Sequence, residues 1–148
     1  MIKNKHLILL LSGLLAFTST VSATENDPIQ VLDPWIREAP PNMTMQGGFL
    51  RLKNNGDNPV VIVGSSSPLF KKVEIHRTII QDGTARMVEQ ESIKVSPGSE
   101  EVFEPGGLHL MMMMPSRAIK KGDLIPINIE LENGQIVEFT ATVKTGLH

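Results

Sequence analysis

Two histidines and two methionines in this chain stand at intervals that suit a soft metal ion. Ten residues separate His76 from Met87, twenty-one separate Met87 from His109, and one separates His109 from Met111. Outside the N-terminal stretch only three histidines remain, and two of them are tied to methionines in this way. Two imidazoles and two thioethers make a donor set without thiolate. Thioethers are neutral, polarizable and never protonated, so they favour Cu(I). Zinc takes thiolate, imidazole or carboxylate, and Cu(II) takes nitrogen and oxygen in tetragonal geometry. The expected cargo is one Cu(I) per chain. Protonation of free imidazole near about pH 6.5 removes a donor, so binding by this set is expected to weaken in acid.

Other chemistries are poorly served. The sequence holds no cysteine, which excludes thiol catalysis and the thiolate-bound blue-copper electron carriers. The expected mature N-terminus, near Thr24, is not histidine, so an amine-plus-imidazole copper brace is also absent. No Ser-His-Asp arrangement presents itself, and no enzymatic reaction is assigned. The formal net charge is −2 with no basic run, so nucleic acid is not an expected partner. Asp27, Asp33, Glu89 and Glu91 are scattered carboxylates of the kind that normally face solvent.

The first 23 residues have the composition of a leader. Lys3 and Lys5 precede an apolar run from Leu7 to Phe17, and Val21-Ser22-Ala23 offers small residues for cleavage. The run is too short to span a bilayer, which takes about 18 apolar residues. No cysteine follows it, so lipid attachment there is excluded. The remainder, residues 24–148, is long enough for one domain with its own core. In an exported protein without disulfides, that core must carry stability alone.

Short β-rich stretches alternate with turn residues along this domain, and no helical period of useful length appears. Candidate strands are Ile29 to Glu38, Gly48 to Lys53, Val60 to Ser65, Lys71 to Ile80, Ala85 to Val95, Glu101 to Phe103, Leu108 to Met114, Leu124 to Leu131 and Gln135 to Lys144. Asn54-Asn55-Gly56-Asp57, Gln81-Asp82-Gly83, Pro97-Gly98, Pro105-Gly106-Gly107 and Asn133-Gly134 separate them. The spacing favours an all-β sandwich or small barrel with Greek-key connections. In the last hairpin, Ile125, Ile127, Ile129 and Leu131 must meet Val137, Phe139, Ala141 and Val143. A three-residue loop of Glu132, Asn133 and Gly134 achieves this by pairing Ile129 with Val137.

Alternation also sorts the methionine run. Leu108, Leu110, Met112 and Met114 are expected in the core, with His109, Met111 and Met113 on the other face. A two-residue Asp82-Gly83 loop would set Thr78 opposite Met87 and His76 diagonal to Met87 on one face, with Cα atoms about 7 to 8 Å apart. A slip of one residue would part them. Val73 and Ile75 do not decide between the alignments, and the metal-competent register is adopted. Met43 and Met45, on either side of Thr44, are read as loop packing, with a place beside the copper as the alternative. Trp35 is read as packing at the sandwich edge.

These residues resemble the periplasmic copper chaperones of the PCu(A)C family. His76, Met87, His109 and Met111 match its signature intervals. The likeness extends through Trp35-Ile36-Arg37, Gly48-Phe49-Leu50, Asn54-Asn55-Gly56, Val73-Glu74-Ile75-His76, Pro105-Gly106-Gly107-Leu108-His109-Leu110-Met111 and Lys121-Gly122-Asp123. The resemblance implies a cupredoxin-like Greek-key β-sandwich in the periplasm that binds one Cu(I) at an exposed site. It implies delivery to the binuclear copper centre of cytochrome c oxidase, alone or with Sco-type thiol proteins. The chain would then meet a membrane only through a membrane-bound partner and act as a monomer. Two features depart from the family. Arg77-Thr78-Ile79 supplies no auxiliary methionine after His76, and the chain stops at Gly146-Leu147-His148 without a methionine- and histidine-rich tail. Copper sequestration for tolerance, or a structural β-sandwich without metal, are the competing readings.

Overall fold

A computed structural model of the chain describes residues 28–146. The expected leader over residues 1–23, Asp27 and His148 lie outside the described residues. Ten strands follow one another: β1 Ile29–Arg37, β2 Met45–Asn54, β3 Val60–Ser66, β4 Phe70–Gln81, β5 Thr84–Glu89, β6 Ile93–Val95, β7 Glu100–Phe103, β8 Leu108–Pro115, β9 Leu124–Leu131 and β10 Ile136–Lys144. The described residues contain no helix, and the domain is all-β as expected. Their hydrogen-bonded order is β5-β4-β8-β7-β2-β1-β10-β9-β3-β6, with β2 also pairing β8 and β3 also pairing β4. That last contact, Ser65 opposite Val73, brings the two ends of the sheet together and curls it into a flattened, barrel-like sandwich. Neighbours such as β4 and β8, or β1 and β10, are distant in the chain, which is the Greek-key, cupredoxin-like arrangement.

Alternation builds the core. Ile125, Ile127, Ile129 and Leu131 of β9 are buried with Val137, Ala141 and Val143 of β10, and Phe139 packs partly buried against them. Each fully buried Ile, Leu or Val among them contributes about 1.5–3 kcal/mol when withdrawn from water. Ile129 lies opposite Val137, so the three-residue loop is the one formed. Gly134 takes a φ of 85° there, and Gln135 O accepts the Leu131 N–H at 2.9 Å. On the opposite wall, Val73 and Ile75 find their apolar partners across β8, facing Met112 and Leu110. Sequence alone left them unmatched because it sought those partners in β5.

Three expectations need correction. The stretch Ala85 to Val95 is two strands, because Ile93 and Val95 leave the hairpin and bury themselves against β3, opposite Ile62 and Val60. β2 begins at Met45, before Gly47-Gly48, because Met45 to Gly48 pair with β8 rather than forming a turn. Met114 is not core. Its φ of 52° breaks the alternation at the end of β8, where its N–H bonds Thr44 O at 2.8 Å, and the side chain is left 46% exposed. Met112 is fully buried, as expected.

Trp35 packs as expected. A bulge at Asp33, with a φ of 49°, shifts the β1–β2 register and brings Trp35 opposite Phe49, with ring centroids 4.6 Å apart.

The turn between β4 and β5 determines where Met87 falls. Asp82 and Gly83 have φ values of 52° and 74°, the pair of left-handed positions that closes a two-residue hairpin. A Cβ on Gly83 would meet nothing within 4 Å, so substitution there tests backbone conformation alone. Gly83→Ala should weaken the hairpin by about 1–2 kcal/mol. Faster amide exchange confined to β4 residues beyond His76 and to β5 is the expected readout, and a general loss of protection would contradict it.

Candidate metal centre

Strand pairing sets all four candidate donors on one face. His76 lies directly opposite His109 across β4 and β8, with ring centroids 6.0 Å apart and planes inclined by 54°. Met111 follows two residues along β8, opposite Glu74. Thr78, two residues beyond His76, lies opposite Met87. His76 is therefore diagonal to Met87, in the register that the Asp82-Gly83 loop suggested. Exposure across the set is graded. His109 is 5% exposed and Met87 is 58% exposed, while His76 and Met111 are partly buried. The expectation of an exposed site thus describes Met87 and not the histidines. A groove of about 370 Å³ opens beside Met87, His109 and Met111, and Met43, Met45 and Phe49 also line it.

Hydrogen bonds fix the tautomer of each ring. The carbonyl of Gly107 can only accept, so His109 Nδ1 carries the proton it shares at 3.0 Å. The carboxylate of Glu74 likewise accepts from His76 Nε2 at 2.8 Å. Each neutral imidazole is left with one lone pair, on His109 Nε2 and on His76 Nδ1. Among the described residues three buried side-chain nitrogen or oxygen atoms have no hydrogen-bond partner, and two of the three are these nitrogens. The third is Gln46 Oε1, whose side chain borders the groove. A buried polar atom without a partner costs about 1–3 kcal/mol, so two neighbouring imidazoles kept in that state call for an electrophile. A bond from the second ring nitrogen to a carboxylate or carbonyl is the usual way in which proteins orient a metal-binding histidine.

Glu74 is held in turn by Lys72, whose ammonium bonds its other oxygen. The Lys72 contact first, and the His76 ring second, hold the Glu74 carboxyl below its ordinary value, against burial that pushes it up. Glu74, His76 and Glu89 also bring donor atoms within 4.8 Å of one another, a grouping that could attract a harder cation. Lys72 argues against that use: its positive charge already neutralises Glu74 and would repel a divalent ion.

The Glu74 role was open to sequence reasoning but missed. Glu74 stands two residues before His76, on the same strand face, where an acidic side chain reaches an imidazole. Met43 and Met45, read as loop packing with a place beside the copper as the alternative, line the groove about half exposed. Only the extension of β2 to Met45 shows that this segment borders the groove. Glu89 is exposed, as expected of a solvated carboxylate, although it stands directly opposite His76.

Comparison with known proteins identifies the family and the fold. The LpqE-like family, described as putative lipoprotein LpqE-like, matches residues 29–143. The putative lipoprotein Lxx21020 of Leifsonia xyli subsp. xyli is 28% identical over 119 residues, covering 80% of this chain and 70% of the relative. Among solved structures, the copper-bound PCuAC domain from PmoF2 superposes with a TM-score of 0.68 at 22% identity, over 80% of this chain and 94% of that one. The solution structure of Cu(I)-DR1885 from Deinococcus radiodurans gives a TM-score of 0.58 at 22% identity, over 81% and 78%. At such identities the likeness is one of fold. The chain belongs to the LpqE-like family, and it has the cupredoxin-like β fold of the PCuAC domains.

Proposed function

We propose that this protein is a periplasmic Cu(I) carrier that holds one cuprous ion on His76, Met87, His109 and Met111 and gives it up by ligand exchange. The observation that carries the reading is the pair of buried, unpartnered nitrogens, His76 Nδ1 and His109 Nε2, facing the same side as two thioethers. The copper-bound state of PCuAC domains with the same fold supports it. The donor set is neutral throughout, so binding Cu(I) displaces no proton from the ligands, and the ion keeps its single charge. That suits a cargo. Because the set is graded, an incoming donor reaches Met87 first and His109 last, and copper leaves through a series of partly exchanged states. No catalytic role is assigned.

The acceptor in this reading is a copper-binding protein, either the copper centre of a respiratory oxidase or a Sco-type thiol protein that assembles it. An exported location follows from the leader-like residues 1–23 and from relatives described as putative lipoproteins. The 148 residues contain no cysteine to carry a lipid, so the reading has this chain move freely in the periplasm.

Two measurements test the assignment. In anaerobic competition with a chromogenic Cu(I) chelator, the protein should take up one tightly held ion. His109→Ala, or joint Met87→Leu and Met111→Leu, should weaken it by more than about 100-fold, beyond what changes outside the ligand set cost. Wild-type affinity in those variants would end the four-donor assignment. Glu74→Ala should weaken Cu(I) binding by about 10–100-fold while leaving all four donors in place. Its ring 15N shifts should show His76 no longer held as one tautomer. A retained Nε2–H tautomer would mean that the strand alone orients the ring.

A further inference from the structure

Two more methionines share the groove with three of the four candidate donors, Met87, His109 and Met111, and neither is packed away. Met43 and Met45 are 51% and 46% exposed, yet both line the cavity that Met87, His109 and Met111 line. A methionine that fills a gap buries its sulfur, whereas these two stay half in water beside other thioethers. The β2–β8 register relates them to the site. Met45 pairs with Met113 and Gly47 with Met111, so Met45 is diagonal to Met111 on one face. That is the relation that joins His76 to Met87, with about 7 to 8 Å between Cα atoms, and two long side chains can close it around one ion. Gly47 gives its own side-chain space to the Phe49 ring, which lines the groove together with both methionines. A Cβ there would come within 2.8 Å of Phe49 Cζ, and the Phe49 ring is flanked by Trp35 at 4.6 Å and by the Arg37 guanidinium at 5.5 Å.

We infer that Met43, Met45 and Met111 form a second, thioether-only Cu(I) site at the mouth of the groove, where the ion rests between the outside and the two histidines. The inference rests on the copper-carrier reading, because Met111 is common to both sites. Three neutral thioethers attract Cu(I) and offer little to harder ions. Passage between the sites is ligand substitution without change of oxidation state. The Met43 and Met45 sulfurs leave as His76 Nδ1, His109 Nε2 and the Met87 sulfur enter, and Met111 stays bound. Thioethers bind without deprotonation, so the outer site takes up and releases the ion without a proton. The outer site lacks imidazole and binds more weakly than the inner one.

Anaerobic titration of the protein, carrying 13C-methyl methionine, with Cu(I) supplied as its acetonitrile complex tests this directly. The first equivalent should shift the Met87 and Met111 methyl signals, and the second should shift Met43 and Met45 and move Met111 again. A Met43→Leu, Met45→Leu double variant keeps side-chain volume. It should retain the first equivalent at wild-type affinity, lose the second, and yield copper to a chelator more slowly. If Met43 and Met45 stay unmoved at two equivalents while Met87 and Met111 shift, the outer site is overturned and the carrier reading stands. A large loss of first-equivalent affinity in the double variant also overturns it, by placing both residues in the inner site. If no methionine shifts at all, the carrier reading falls as well.

Discussion

The antiparallel pairing of β4 with β8 decides which side chains of this molecule meet, because a strand shows alternate residues to its two faces and a slip of one exchanges them. In the register formed, Val73 faces Met112 and Ile75 faces Leu110 toward the core, while Glu74 faces Met111 and His76 faces His109 on the other side. One alignment therefore satisfies two demands. Moving it to improve the histidine face would turn four apolar side chains into water, at about 1.5–3 kcal/mol each. The hydrophobic pattern thus guards the donor geometry. No separate device is needed to keep the two imidazoles together.

The donor face is less comfortable than the core beneath it. A buried polar atom without a partner costs about 1–3 kcal/mol, and Glu74 and Gly107 leave one such nitrogen on each ring by claiming the other. Local strain of this kind persists only where the surroundings impose it. Here the imposing elements are ordinary: two paired strands, a carboxylate anchored by a lysine, and a backbone carbonyl. The domain contains no disulfide to offset the cost, so the closed sheet and its aliphatic core must do so.

How legible this was in the sequence depended on the range of the deciding contact. The last hairpin could be aligned from its own residues, since Ile129 and Val137 are separated by only a short loop. The β4–β5 hairpin was harder. Its register was adopted on chemical grounds, and the left-handed pair at Asp82 and Gly83 is what enforces it. Long-range pairing was invisible. Nothing local in Ala85 to Val95 announces that Ile93 and Val95 belong to β3, and nothing in Pro41 to Gly48 announces that Met45 pairs with Met113. Met114 failed for a different reason, because its alternation is broken by a single left-handed residue held by Thr44 across the sheet. Among the site residues, spacing singled out His76, Met87, His109 and Met111. The charges that orient them were passed over because Glu74 reads, on its own, as one more surface carboxylate.

Among the described residues β5 stands at the end of the sheet and pairs only with β4, and every one of its residues is exposed. The face is thus divided between interior strands and an exposed end strand. His76, His109 and Met111 ride on the paired β4–β8 wall. Met87 rides on a strip that can fray alone at far lower free energy. Three of the four residues thus stand on the interior of the sheet and the fourth on its margin, so that face has a covered floor and an open rim.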